Sequence, residues 1–338
     1  MYFKMIELFL IAIVLNFCFF FYIKKIKNFV NIFDKPDNKL KKHKSKTPLL
    51  GGIIIMMNLC LLVLLSLFFE YQYIDNKISL RSYFSIFFFL SSFFTLGTID
   101  DKYKLKPEKK FFLSILFAIF SLLLNDDLII SNIRFSFYEH TIFLNNFSLF
   151  FTIFCIIILI NSLNFYDGIN GQSLIFFIII FSYLSYRSPI FIFYLFIIFV
   201  LIFILILNFK NELFMGDSGI YAIGSILIMS IIFEHNVFKT IKYADEIFFL
   251  LILPGYDLLR VSVTRILKGK NAFYGDRNHI HHLLISKFSV VQTNMYLILL
   301  ILLPIFLFSF VGLNFLIVMT LFTSVYIYLI LKLSKNDH

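Results

Sequence analysis

Tryptophan is absent from this 338-residue chain, and charged side chains make up only 15% of it. A soluble globular domain carries about 25% charge, so the shortfall excludes an ordinary soluble protein. Without tryptophan, any aromatic belt at a membrane interface must be built from the 18 tyrosines and 49 phenylalanines. Cysteine occurs three times, and Cys18, Cys60 and Cys155 all fall inside apolar runs. Three thiols scattered through apolar runs suggest neither a disulfide framework nor a thiolate metal cluster. The first apolar run, Leu8 to Ile23, lacks a small-residue cleavage site and passes straight into Lys24 and Lys25, so it reads as a retained span. Repeats, linkers and soluble segments are also missing, which leaves a single membrane domain over residues 1–338.

What fills the chain is apolar: 60% of residues are hydrophobic and the mean hydropathy is +0.90. A membrane-spanning helix needs about 20 such residues and tolerates about 17–25. Apolar runs fall at 5–23, 49–69, 82–99, 111–125, 148–162, 174–186, 189–208, 219–233, 247–264, 292–310 and 313–333. The expectation is an all-α polytopic membrane protein with about 11 transmembrane helices. Leu174 to Leu207 is too long for one helix and breaks at Arg187-Ser188-Pro189. Residues 126–147 alternate polar and apolar side chains and predict a small β-hairpin on the outer face.

With eleven spans and the N-terminus outside, 23 of the 30 lysines and arginines fall on one face and seven on the other. The positive-inside rule then places loops 24–48, 100–110, 208–213 and 265–291 in the cytoplasm. The net charge of +10 follows from this topology and from attraction to anionic lipid, with no nucleic acid needed.

Asp100 and Asp101 stand between the apolar run Tyr83 to Ile99 and the basic stretch Lys102 to Lys110. Adjacent carboxylates at the end of a span repel each other and lose hydration, a cost that a cation relieves. Their bland reading is a helix cap paired with Lys102, Lys104 or Lys106. The polar segments Asn161 to Ser173, Phe214 to Gly219 and Gly275 to His282 are expected to join them in one pocket on the cytoplasmic face. Eight of the twelve glycines (Gly51, Gly52, Gly168, Gly171, Gly216, Gly219, Gly269 and Gly275) lie in the cytoplasmic loops or the helix starts beside them, where backbone turns tightly or approaches a ligand.

Each segment has a chemical and a structural reading. In Asp34 to Gly52 the lysines suit a lipid-headgroup anchor, while His43, Thr47-Pro48 and the Gly51-Gly52 helix start could offer free N–H groups to a phosphate. Asn161, Asn164, Asp167 and Asn170 recur every three residues and could line one helical wall, or could cap their own helix end. Asp217 sits between glycines as a cap or as a metal ligand, with Phe214 beside it as a stacking surface for a base. Asp257 and Arg260 are spaced to pair. His279, His281 and His282 have the wrong spacing for zinc and suit phosphate donors better.

Taken in order, DKP…H…P..GG, IDD, NSLNFYDGING, FMGDSG and PGYD..RV…R….DRNHIHH resemble the polyprenyl-phosphate N-acetylhexosamine-1-phosphate transferases of glycosyltransferase family 4. HIHH is similar to the WecA/TagO branch rather than to the muramoyl-pentapeptide branch. The resemblance implies transfer of a HexNAc-1-phosphate, such as GlcNAc-1-phosphate, from a UDP-sugar to undecaprenyl or another polyprenyl phosphate. UMP would leave, Mg²⁺ (or Mn²⁺) would be required, and a lipid-linked cell-wall or lipopolysaccharide O-antigen glycan would be initiated. It further implies Asp217 and Asp101 as metal ligands, Asp100 as base or positioning group, and Phe214 against uracil. Asp167 and Asn170, flanked by Asn161 and Asn164, would line the nucleotide site. Arg277, His281 and His282, with His279, would bind sugar or diphosphate, and Lys46 and Thr47 would contact a phosphate or the nucleotide. The location implied is a bacterial inner membrane with the site facing the cytoplasm, and a homodimer is a candidate assembly. The rival readings are a transporter or lipid flippase and an inactive scaffold. Polar motifs gathered at one face count against the former, and retained acids and histidines against the latter.

Overall fold

The computed structural model describes residues 2–34, 46–68, 80–270 and 278–334. In a hydrocarbon surrounding every backbone polar group must be satisfied within its own segment, and the long apolar runs accordingly form helices. In chain order these begin with α1 (Tyr2–Val30), β1 (Phe33–Asp34), β2 (Thr47–Pro48), α2 (Gly51–Phe68), α3 (Leu80–Tyr103) and α4 (Pro107–Leu124). Then come β3 (Asn132–Ile133), β4 (Ile142–Phe143), α5 (Ser148–Tyr166), α6 (Gln172–Arg187), α7 (Phe191–Phe209) and α8 (Gly216–Asn236). The chain continues with α9 (Ala244–Leu250), α10 (Ile252–Leu267), α11 (Ile280–Ile285), α12 (Val290–Ser309) and α13 (Phe315–Ser334). Two compact units are present: Met1–Leu128 with Phe177–Ser230, and Ile129–Phe176 with Ile231–His338.

Each predicted apolar run has a helix, but eleven full spans are not reproduced. Among the described residues seven helices are long and apolar enough to cross a membrane, or eight if α9 and α10 count as one. The apolar parts of α2 and α6, Gly51–Leu65 and Gln172–Arg187, are shorter. In α4 the first turn carries Glu108, Lys109 and Lys110, which leaves only Phe111 to Leu124 for the bilayer. The run expected as one span at 247–264 bends by 77° between α9 and α10. Pro254 explains the break: its ring excludes the carbonyl four residues back, so it is accommodated in the first turn of α10 and not in a continuous helix. In the segment read as a hairpin, β3 and β4 pair antiparallel over two residues each, Asn132 opposite Phe143 and Ile133 opposite Ile142.

In the first unit α1 packs on α2 and α7, and α3 on α4. Small polar residues let α3 and α4 approach closely: Ser85 Oγ donates to the Ser121 carbonyl across the pair. The α1–α2 contact is locked by a reciprocal amide pair, Asn16 Nδ2 to Asn58 Oδ1 at 2.9 Å and Asn58 Nδ2 to Asn16 Oδ1 at 3.1 Å. Each amide also donates to the carbonyl four residues back, of Ala12 and Ile54 respectively. In the second unit α5 packs on α10, and α12 on α9, α11 and α13.

Replacing only one of the two asparagines by leucine leaves a buried amide short of its partner. Asn58→Leu is expected to lower unfolding stability in detergent by about 1–2 kcal/mol, while Asn16→Leu/Asn58→Leu recovers most of the loss. Additive losses in the double variant would contradict the pairing.

Candidate active site

Three of the five polar segments meet within the first unit. α3 carries Asp100 and Asp101 into its last turn, and Lys104, at φ +52°, begins the reversal that sends α4 back along α3. That reversal places Lys110 beside Asp100, with Nζ 2.6 Å from Asp100 Oδ2. The same ammonium lies 3.2 Å from Oδ2 of Asp217, in the first turn of α8. Asp100 Oδ1 accepts from the Leu105 amide at 2.7 Å, so this carboxylate also pins the reversal. The cation on Asp100 is thus Lys110, not the Lys102, Lys104 or Lys106 suggested by proximity in sequence. Asp100 is 3% exposed, whereas the Asp217 side chain keeps 27% of its surface open. Asp101 turns away from the ammonium; its two oxygens accept from the backbone amides of Asp217 and Ser218 at 2.9 and 3.0 Å.

The segment around Thr47 joins the same cluster through backbone. Phe214 N–H donates to the Pro48 carbonyl at 3.0 Å, and the Phe214 carbonyl accepts from Gly51 N–H at 3.2 Å. Gly51 and Gly52 serve packing: a Cβ on either would come within 2.7 Å of backbone at Met215 or Ser218. The Gly51 amide is therefore spent on Phe214 and is not the open phosphate donor expected from sequence. Thr47 is buried, Lys46 is exposed and Phe214 is half-buried.

The other two segments meet within the second unit. α5 ends at Tyr166, so Asn161 and Asn164 share a helical face while Asp167, its C-cap, and Asn170 leave that progression. A single wall of four side chains is not formed. Asn161 donates back to the Ile157 carbonyl at 2.7 Å, Asp167 accepts from Ser173 Oγ, and the Asn170 carbonyl accepts from Asn294 of α12 at 2.9 Å. Asp257, on α10, is 2% exposed and organises the histidines. Its Oδ1 accepts from Arg260 at 2.7 Å, as their spacing predicts, and from Tyr326 Oη at 2.6 Å and Ile280 N–H at 3.1 Å. Its Oδ2 lies 2.7 Å from His279 Nδ1, and His279 Nε2 faces the Arg265 guanidinium at 3.4 Å. His279 stacks on Phe165 and on His281 at 5.7 Å.

Gln172 fixes the tautomer of His281. Its Oε1 accepts from Gly168 N–H at 3.3 Å, so its amide nitrogen donates to His281 Nδ1 at 3.1 Å, leaving the proton on Nε2. Burial, and then the neighbouring His282, hold the His281 imidazole well below the ordinary histidine range. A Cβ on Gly168 would lie 1.9 Å from His281 Nε2, which is why this loop carries glycine. His279 and His281 are buried and committed to internal partners, while His282 is half-buried and reaches the surface. Arg277 and His43 lie outside the described residues.

Sequence reasoning missed Lys110, Gln172 and Tyr326 as parts of these clusters. Lys110 is ten residues beyond Asp100, and Tyr326 is 69 residues beyond Asp257, on the last helix. Pairings at such separations leave no periodic signal.

Among the described residues no three His, Cys, Asp or Glu side chains gather as a metal cage. Mg²⁺ does not require one, since it keeps several waters and binds through one or two carboxylates with substrate phosphates. Asp100 Oδ2 and Asp217 Oδ2 already flank one cation, the Lys110 ammonium. These are hard oxygen donors, and Asp217 is open to solvent, so the donor set suits Mg²⁺.

Residues 83–234 match the family model described as glycosyl transferase family 4, a stretch holding Asp100, Asp101, Lys110, the 161–173 loop and Asp217. Over 278 residues the chain is 27% identical to the undecaprenyl-phosphate alpha-N-acetylglucosaminyl 1-phosphate transferase of Escherichia coli (strain K12), covering 79% of this chain and 72% of that one. The enzyme of the same name from Salmonella typhi is 26% identical over 277 residues, with 78% and 72% covered. A probable undecaprenyl-phosphate N-acetylglucosaminyl 1-phosphate transferase of Bacillus subtilis is 24% identical over 279 residues, again with 78% and 72% covered.

Two outcomes check the histidine cluster. Gly168→Ala must displace His281 and is expected to lower stability by about 1–3 kcal/mol, read as thermal unfolding in detergent. Because folded His281 refuses a proton that the unfolded chain accepts, its contribution is complete above about pH 6.5 and is lost as pH falls below it. His281→Phe should therefore show a shallower loss of melting temperature from about pH 6.5 to about pH 5 than the parent; equal slopes would contradict the assignment.

Proposed function

We propose that this chain, which matches the glycosyl transferase family 4 model, is a sugar-1-phosphate transferase of the membrane and carries out the following reaction. The acceptor is a polyprenyl phosphate, the donor a UDP-N-acetylhexosamine, and the products are polyprenyl-diphosphate-HexNAc and UMP. An oxygen of the lipid phosphate attacks the phosphorus bonded to the sugar. The new P–O bond forms as the bond to the uridine-side phosphate breaks, and the leaving electron pair stays on UMP. The lipid phosphate, with a second pKa of about 6, is already largely dianionic at neutral pH, so no proton need be removed for the attack.

The observation that carries this reading is the pair of acids on α3 and α8 around one ammonium, Asp100 and Asp217 with Lys110. Bringing a phosphate monoester onto a diphosphate accumulates negative charge, and catalysis of such transfers is mainly positioning and charge neutralisation. Mg²⁺ held by Asp217 would supply neutralisation at the diphosphate. Asp100, buried and fixed by Lys110 and the Leu105 amide, positions the attacking phosphate or takes its residual proton. Phe214 offers a half-buried ring for uracil stacking, an interaction contributing about 1–3 kcal/mol. In the second unit His282, Asp167 and Asn170 are assigned to the donor, and His279 and His281 hold His282 in place. Arg277 joins this donor group on its motif alone. The excess of lysine and arginine on one set of loops supports placing the motif loops in the cytoplasm of a bacterial inner membrane.

Asp217→Ala should abolish UMP release from purified protein, and Asp100→Asn should leave a trace of about 10⁻² to 10⁻⁴ of the parent rate. Near-normal turnover by Asp217→Ala would refute the metal assignment. A radiolabelled panel of UDP-GlcNAc, UDP-GalNAc and a UDP-6-deoxy-HexNAc with undecaprenyl phosphate tests the donor. Lipid-linked product with one of these, dependent on Mg²⁺, is the expected result. Product with none of them, with or without Mg²⁺, would favour a transporter.

A further inference from the structure

We infer that Asp101 is a positioning residue, seating the first turn of α8 and thereby the Asp217 carboxylate, and that its own oxygens are not metal ligands. The inference rests on Asp217 being a metal ligand and deepens that reading. It departs from the expectation that Asp101 shares the ion.

The first amides of a helix have no acceptor within the helix. At the start of α8 both available oxygens of Asp101 are used for this purpose: Oδ1 accepts from Asp217 N–H at 2.9 Å and Oδ2 from Ser218 N–H at 3.0 Å. Asp101 is 5% exposed, so these bonds are sheltered from competing water. Gly216 makes the arrangement possible. It adopts φ +69°, which glycine tolerates, and a Cβ there would lie 2.6 Å from Asp101 Oδ2 and 3.1 Å from Oδ1.

Gly97, one turn before Asp101 on α3, completes the seat. A Cβ on it would come 2.5 Å from the Asp217 carbonyl oxygen and from Ser218 Cα. α3 therefore meets the start of α8 twice, once by bare backbone and once by a carboxylate, which restrains both the translation and the rotation of that end. Asp100, the next residue back, points to Lys110 instead. The two adjacent acids thus divide the work: Asp100 faces the ammonium, and Asp101 holds the backbone that presents Asp217. With the amides of residues 217 and 218 taken by Asp101, the α8 N-terminus is not a phosphate cradle.

The test measures Mn²⁺ binding by electron paramagnetic resonance, with kcat and KM on the same preparations, for the parent, Asp217→Asn, Asp101→Asn and Gly216→Ala. A residue that orients a ligand without binding metal typically costs about 10–100-fold when removed. Asp217→Asn is expected to weaken Mn²⁺ binding by more than about tenfold. Asp101→Asn should keep Mn²⁺ affinity and both KM values within about threefold while kcat falls about 10–100-fold. Gly216→Ala, which leaves the Asp101 carboxylate chemically intact but displaced, should reproduce that split. If Asp101→Asn gives no folded protein, Asp101→Glu is judged by the same thresholds. Mn²⁺ affinity lost to the same extent in the Asp101 and Asp217 variants would make Asp101 a ligand and overturn the inference; so would unchanged kcat in the Asp101 variant. Undiminished Mn²⁺ binding by Asp217→Asn would instead defeat the metal assignment on which the inference rests.

Discussion

The carboxylates of Asp100 and Asp217 are separated by more than a hundred residues, yet both lie within 3.2 Å of the Lys110 ammonium. Charges this poorly hydrated are costly unless paired, and removing one member of such a group generally costs more than the group contributes intact. The first unit is arranged around that constraint. The reversal at Lys104 brings α4 back along α3, the Leu105 amide occupies the second oxygen of Asp100, and α8 begins where its first carboxylate reaches the same cation. Glycines at 51, 52, 97 and 216 let three segments approach closely enough for this to happen.

The second unit solves a different problem with the same means. Asp257 is buried and accepts from Arg260, Tyr326, His279 and the Ile280 amide, so its charge is fully engaged. That engagement fixes the ring plane of His279, and through stacking and Gln172 it fixes His281 as well. The result is a rigid base from which His282 projects toward the surface. Two of the three histidines are thus buried against internal partners, although an imidazole also suits a phosphate.

Composition and apolar periodicity made the helical, membrane-embedded character legible, because long runs without charge have few other structures open to them. The break at Arg187 to Pro189 and the Asp257–Arg260 pair were legible for the same local reasons. The bend at Leu251 was not, since Pro254 inside an apolar run is compatible with either a kink or a fresh helix start. Nor was the count of spans, because the charges that open α4 shorten its apolar stretch. The motif residues themselves were visible as polar islands, but their partners were not. Lys110 had several nearer competitors for Asp100, and Tyr326 looks in sequence like any aromatic of a lipid-facing helix. The glycines were visible too, yet at 51 and 52 their purpose is helix-to-helix contact and not ligand approach.

The two acids are tolerated only because Lys110 stands between them. The unfolding stability of Lys110→Met beside that of Lys110→Met/Asp100→Asn, measured in metal-free detergent solution, tests this. The single variant is expected to lose about 3 kcal/mol, and neutralising Asp100 to restore a large part of it. A single variant as stable as the parent, or a double variant less stable than the single, would contradict it.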